Sequence, residues 1–302
     1  MRWGIFTRWS GLLTLGFAII LLGIGRRHEK FKPLIYFSLC GISVAAYEAL
    51  LYQVAFLQKN PIGDQLILMA ALGTTIVYSY CLLSLWLPSA LNISSTIFKY
   101  FLDGHWLGSS ILLVVAPFYS IEDTITIGLV TGVLLIQYAL LQGRNAVSNY
   151  WKERWVYVAF IQGLAMKFYW LHFPFPLFLE EIFILWKGAI FSAIAYFLYI
   201  LPWQRWGWLK RPWQIVALLL PIIAILADSF NQSPINYLFA AVFYLVPTFL
   251  QQQVRYSYIS AMFLIGFAIR LAWQFQLSDP LWYIYPIGLS IQYSNSRTHE
   301  VQ

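Results

Sequence analysis

The stretch "LEEIFILWKGAIF" (179–191) sets Glu180, Glu181 and Lys187 inside an apolar run that extends from 177 to 201. Carboxyl and ammonium groups in such a run can lock helix to helix as ion pairs, line a polar cavity for an ion, a proton or a head group, or serve as acid and base in catalysis. A lone charge in hydrocarbon costs several kcal/mol, so groups of this kind are expected to face a bundle interior and to pair. Lys187 lies seven residues past Glu180, two helical turns along one face. Lys167 lies about 10 Å below a bend set by Pro174 and Pro176, and Glu180 and Glu181 lie about 6–8 Å below it on the other limb. His172 stands close to the bend, and Glu48 and Arg270 fall at similar or greater depth in two other apolar runs. The expected arrangement is a Lys187–Glu48 pair as the floor of an outward-facing polar pocket, rimmed by Glu180, Glu181, Lys167 and His172. Structural pairing, with long side chains reaching toward the surface, is the competing expectation.

Enzyme signatures are mostly missing. Membrane proteases of the CAAX-processing type carry a Glu-Glu pair closely followed by Arg, with Phe-x-x-x-His on a later helix. Here "EEIFILWKG" has Lys in place of Arg, two residues too far, and "FYWLH" (168–172) precedes the pair. The chain has four histidines, three of them at loops or the tail, which does not make a zinc site. It has no HExxH, GxSxG, P-loop or GxGxxG. No catalytic, cofactor-binding or metal-ligating residue is assigned from the sequence.

The elements that must position these groups are membrane helices. Only 10% of the 302 residues are charged and 60% are hydrophobic, against about 25% charged in soluble domains. Apolar runs of roughly 17–25 residues, each enough to cross about 30 Å of hydrocarbon, fill the whole length. The expectation is an all-α, polytopic transmembrane bundle in which residues 1–302 form a single integral membrane domain, with no soluble domain. Cys40 and Cys81 sit in apolar runs and are read as packing residues. The basic start of the chain lacks a small-x-small cleavage site and is read as a retained first helix.

Breaking the runs at charges, Pro and Gly gives eleven spans, with ten or twelve as alternatives: 9–25, 34–57, 65–88, 106–120, 124–142, 154–173, 177–201, 213–228, 235–250, 254–276 and 280–294. The basic residues then segregate. Arg26, Arg27, Lys30, Lys32, Lys99, Arg144, Lys152, Arg154, Arg205, Lys210, Arg211, Arg255 and Arg297 share one side, and Arg2, Arg8 and Lys59 the other. The basic side is cytoplasmic by the positive-inside rule, so the N-terminus is expected outside and the C-terminus in the cytoplasm of a bacterial inner membrane. The net charge of +7 follows from this asymmetry and suits contact with anionic head groups on the cytoplasmic side, not nucleic acid. "WQRWGWLKRPW" (203–213) fits the same picture as an interfacial belt.

Three stretches share a layout of basic lead, Tyr, one span, sharp turn and return, in which Tyr36, Tyr157 and Tyr258 align. The last, "RYSYISAMFLIGFAIRLAWQFQLSDPLWYIYPIGLSI" (255–291), resembles the closing hairpin of DUF2157-like, repeat-built bacterial polytopic membrane proteins. That resemblance implies a helical membrane array of unknown function and carries over no catalytic residues. The sequence therefore points first to a non-enzymatic scaffold or assembly protein, with membrane lipids and other membrane proteins as partners and no cofactor. The alternatives are a transporter or channel-like protein using the buried charges, then an enzyme acting on a lipid-linked substrate.

Overall fold

In hydrocarbon no water is available to satisfy a free backbone group, so an apolar chain folds into helices that pair every N–H and C=O internally. The computed structural model describes residues 9–27, 31–54, 60–170, 177–227 and 233–277, with 279, 281, 284 and 288. Among these residues all regular structure is helical. The helices are α1 (Ser10–Arg27), α2 (Lys32–Leu51), α3 (Ile62–Leu83), α4 (Leu87–Leu91), α5 (Ser95–Val115), α6 (Ile125–Asn145), α7 (Asn149–Ala165), α8 (Lys167–Trp170), α9 (Leu177–Ile200), α10 (Lys210–Leu226), α11 (Pro234–Gln251) and α12 (Val254–Gln274).

Each of the first ten expected spans falls on one or two of these helices; the eleventh, 280–294, lies outside the described stretch but for single residues. Among the described residues, seven helices are long and apolar enough to cross a membrane: α1, α2 with its extension to Val54, α3, α5 with its extension to Phe118, α6, α11 and α12. Two boundaries differ from expectation. The fourth span starts at Ser95 instead of 106, which brings Lys99, Asp103 and His105 into α5. The sixth is interrupted at Met166, between α7 and α8. Cys40 is exposed on α2 and is not a core residue.

Two compact units emerge, Met1–Gln142 with Val158–Phe173, and Gly143–Tyr157 with Pro174–Gln302. In the first, α1 and α2 pair closely, with Gly11 against the backbone of Ala45 and Ala49 and the Ser38 hydroxyl donating to the Ala18 carbonyl at 2.7 Å. The Trp106 indole N–H of α5 donates to the Leu135 carbonyl of α6 at 2.9 Å, and the Tyr169 hydroxyl of α8 donates to Leu113 of α5 at 2.6 Å. Such polar contacts hold helices together where apolar burial provides no drive, each contributing about 0.6 kcal/mol on average. Asp64, in the first turn of α3 and 1% exposed, accepts the Thr124 hydroxyl at 2.6 Å and the backbone N–H groups of Glu122, Asp123 and Thr124 at 3.3–3.4 Å. It thereby fixes the loop that leads into α6, since three successive backbone N–H groups converge on one carboxylate in the manner of an anion-binding nest.

In the second unit α9 turns into α10 through 201–209. Gly207 takes φ +87°, a left-handed conformation that favours glycine, and the Arg144 side chain packs on it. Trp203 stacks on Trp213 with ring centroids 3.7 Å apart and donates its N–H to the Leu198 carbonyl. These two indoles are buried in the turn, so only part of the Trp cluster is available as a surface belt. The Tyr244 hydroxyl of α11 donates to the Leu218 carbonyl of α10, about one turn before Pro221, and Ser260 of α12 donates to Ala241 of α11.

Candidate functional site

Two of the expected ionisable residues have well-defined surroundings, one in each unit. Lys187 lies in α9 and is 8% exposed, in agreement with its expected burial. The same turn is entered by a neutral group: the Asn236 carboxamide of α11, fully buried, accepts the Ala189 N–H at 3.1 Å and donates to the Leu185 carbonyl at 2.9 Å. Leu185 and Ala189 are four apart, the two groups that a regular helix pairs with each other. An amide of another helix thus satisfies both ends of one rung in the turn that carries Lys187. Gly188 makes room for it, since a Cβ there would fall 2.6 Å from the Asn236 Cβ. Ser192, one turn on, folds its hydroxyl back onto the Gly188 carbonyl. Asn236 is the third residue of α11, so Lys187 stands level with the start of that helix.

Glu48 belongs to the first unit, where Thr14 of α1 donates its hydroxyl to Glu48 Oε2 at 2.7 Å. Glu48 borders an open groove of about 300 Å³ between α1 and α2, lined also by Ser10, Leu15, Ile42, Ala45, Ala49 and Tyr52 among others. Beyond Leu51 the backbone of α2 widens into a π-helical turn at 52–54, a form that recurs at functional sites.

The remaining expected residues do not assemble into a described cluster. Lys167 is exposed at the start of α8. Arg270 is half-buried on α12, its guanidinium 5.3 Å from the Trp273 ring centroid. Glu180 and Glu181 fall in the first two turns of α9 with side chains outside the described part, and His172 lies outside the described residues altogether. The expected pairing of Lys167 with Glu180 or Glu181 therefore also falls outside.

The structure adds two polar clusters that the span boundaries hid. His105 lies within α5, stacked on Tyr47 at 6.2 Å and edge-on to Phe101 at 4.7 Å. Four residues on, Ser109 is fully buried with no hydrogen-bond partner among the described residues, and its hydroxyl and that of Tyr47 both lie against Gly73 of α3. Two residues before His105, on another side of the helix, Asp103 accepts the Tyr138 hydroxyl of α6 at 2.8 Å. The available sign was spacing for one pair only: His105 and Ser109 stand four apart on α5. Among the described residues no group of His, Cys, Asp and Glu could hold a metal ion.

No known protein family, curated protein or solved structure matches this chain. Its reading rests on its own residues.

Proposed function

We propose that the chain is an eleven-span integral protein of a bacterial inner membrane, N-terminus outside and C-terminus cytoplasmic, that serves as a non-enzymatic scaffold or assembly component. The seven long apolar helices and the one-sided distribution of Lys and Arg support the membrane reading. The observation that carries the scaffold reading is the use to which buried polar side chains are put. Ser38, Trp106, Tyr169, Asn236, Tyr244 and Ser260 each close on a backbone group of a neighbouring helix, which fixes the helices to one another. The partners of this reading are anionic lipid head groups on the cytoplasmic side and other membrane proteins, with no nucleic acid. Kinship with DUF2157-like repeat proteins belongs to the same proposal.

Transport is the second reading, and Lys187 favours it. A buried cation beside a helical turn whose backbone groups are tied to another helix resembles the discontinuous helices that hold ions in transporters. Reconstitution into liposomes separates the two. A scaffold adds no ion or solute flux over empty vesicles, and gently extracted native membranes yield the 35.0 kDa chain in a larger complex of defined stoichiometry. Flux that falls in Lys187→Ala would overturn the scaffold reading. For topology, a C-terminal fluorescent fusion should light up in the cytoplasm and a periplasmic reporter at Lys59 should be active; a Lys59 reporter active only in the cytoplasm removes the eleven-span arrangement.

A further inference from the structure

The groove between α1 and α2 has a polar end and an apolar length. Glu48 brings a carboxylate, and among the described residues its one hydrogen-bond donor is Thr14, with no cation paired to it. The Thr14 hydroxyl occupies Oε2 of Glu48, so Oε1 and the lone pairs of the Thr14 oxygen remain as acceptors. Leu15, Ile42, Ala45 and Ala49 make the rest of the wall. The groove is open on one side, with about 300 Å³ of space.

We infer that this groove seats the primary ammonium of an ethanolamine-type membrane lipid, with its N–H groups on the Glu48 carboxylate that Thr14 holds in place and the acyl chain along the apolar wall. The inference rests on the membrane-spanning reading above. The charge of the groove selects the ligand: a carboxylate with free acceptors and no neighbouring cation favours a cation and disfavours an anionic head group. The hydrogen-bonding pattern narrows it further. An ammonium can donate to a carboxylate and a hydroxyl in strong charge-assisted bonds. A trimethylammonium has no N–H and is held instead by cages of aromatic faces, whereas among the described residues that line the groove Tyr52 alone supplies an aromatic ring. The π-helical turn at 52–54 sets Tyr52 beside the mouth of the groove.

The test uses the full chain in detergent, stripped of lipid and then offered phosphatidylethanolamine, its mono- and dimethyl derivatives, phosphatidylcholine and phosphatidylglycerol, with retained lipid counted by native mass spectrometry. The expected result is one retained phosphatidylethanolamine per chain, with about tenfold preference over phosphatidylcholine, as one charge-assisted hydrogen bond provides, declining stepwise along the methylated series. In Glu48→Gln the preference should fall to about one. Equal retention across the methylated series, or a preference that survives Glu48→Gln, would overturn the inference. The methylated series needs only the unaltered chain, so poor folding of the variant leaves the test intact. Failure of the membrane reading looks different: alkaline washing of native membranes would then release the chain into the supernatant.

Discussion

Replacing Gly188 by alanine tests the junction of α9 and α11 with a single methyl group. A Cβ at 188 falls 2.6 Å from the Asn236 Cβ and 3.0 Å from its Cγ. Carbon atoms in ordinary contact lie about 3.5–4.0 Å apart, so the two backbones must separate by about 1 Å. That stretches the Ala189–Asn236 and Asn236–Leu185 bonds toward about 4 Å, beyond hydrogen-bonding range. Overpacking costs about 1–3 kcal/mol, and the two lost bonds add about 0.6 kcal/mol each. The better helix propensity of alanine returns about 1 kcal/mol. The net loss is roughly 1–3 kcal/mol, or a fall of about 2–5 °C in melting temperature for a chain of this size. The assay is thermal unfolding of purified protein in detergent, with Gly16→Ala in α1 and Gly104→Ala in α5 as controls, since a Cβ at either meets nothing within 4 Å. Adding Asn236→Ala should not rescue Gly188→Ala, because the clash is with a Cβ that alanine keeps, whereas Asn236→Gly should relieve it. A Gly188→Ala protein that melts at or above the unaltered one, or recovers with Asn236→Ala, refutes the reasoning.

Three other substitutions are read by the same melts. Asp64→Ala removes the acceptor of three N–H groups and a hydroxyl and should cost about 2–4 kcal/mol, with Asp64→Asn milder; an effect below 1 kcal/mol would show that the loop at 122–124 needs no such anchor. Tyr138→Phe should cost about 1–3 kcal/mol by leaving Asp103 without its donor, and Asp103→Leu added to it should recover part of the loss, so strictly additive losses would dismiss the pairing. Lys167→Ala should change stability by less than about 0.5 kcal/mol, as an exposed residue does; a large loss would mean that its ammonium is held by a buried partner.

Composition and periodicity made the spans legible, because apolar length alone dictates a helix in hydrocarbon and the boundaries of α1, α3, α9 and α12 lie within a few residues of where charges and glycines put them. Polar residues inside a span were the main source of error. Lys99, Asp103 and His105 made the start of α5 look like a loop, although Asp103 is satisfied by Tyr138 and His105 by aromatic rings. Burial of Lys187 was legible from its place in an apolar run; its neighbour Asn236 was not, since the partner of that amide is a backbone carbonyl 51 residues away that carries no mark in the sequence. Glu48 was legible as a misplaced charge, but its groove with Thr14 depends on the close approach of α1 and α2 at Gly11, a matter of packing and not of pattern.

The Asp64 anchor also has a consequence for biosynthesis. The carboxylate is made 60 residues ahead of Thr124, so at about 5–20 residues per second it waits roughly 3–12 s before its partners leave the ribosome. Through that interval a group destined to be 1% exposed lacks the donors of 122–124, and water must solvate it. Its position in the first turn of α3 keeps it at the end of the helix. The order of synthesis thus favours an acceptor that precedes its loop: when 122–124 arrive, their N–H groups meet a carboxylate already in place. A chain truncated just before Ile121 should accordingly leave Asp64 open, and a cysteine put in its place should react with a water-soluble thiol reagent in the truncated chain but not in the complete one.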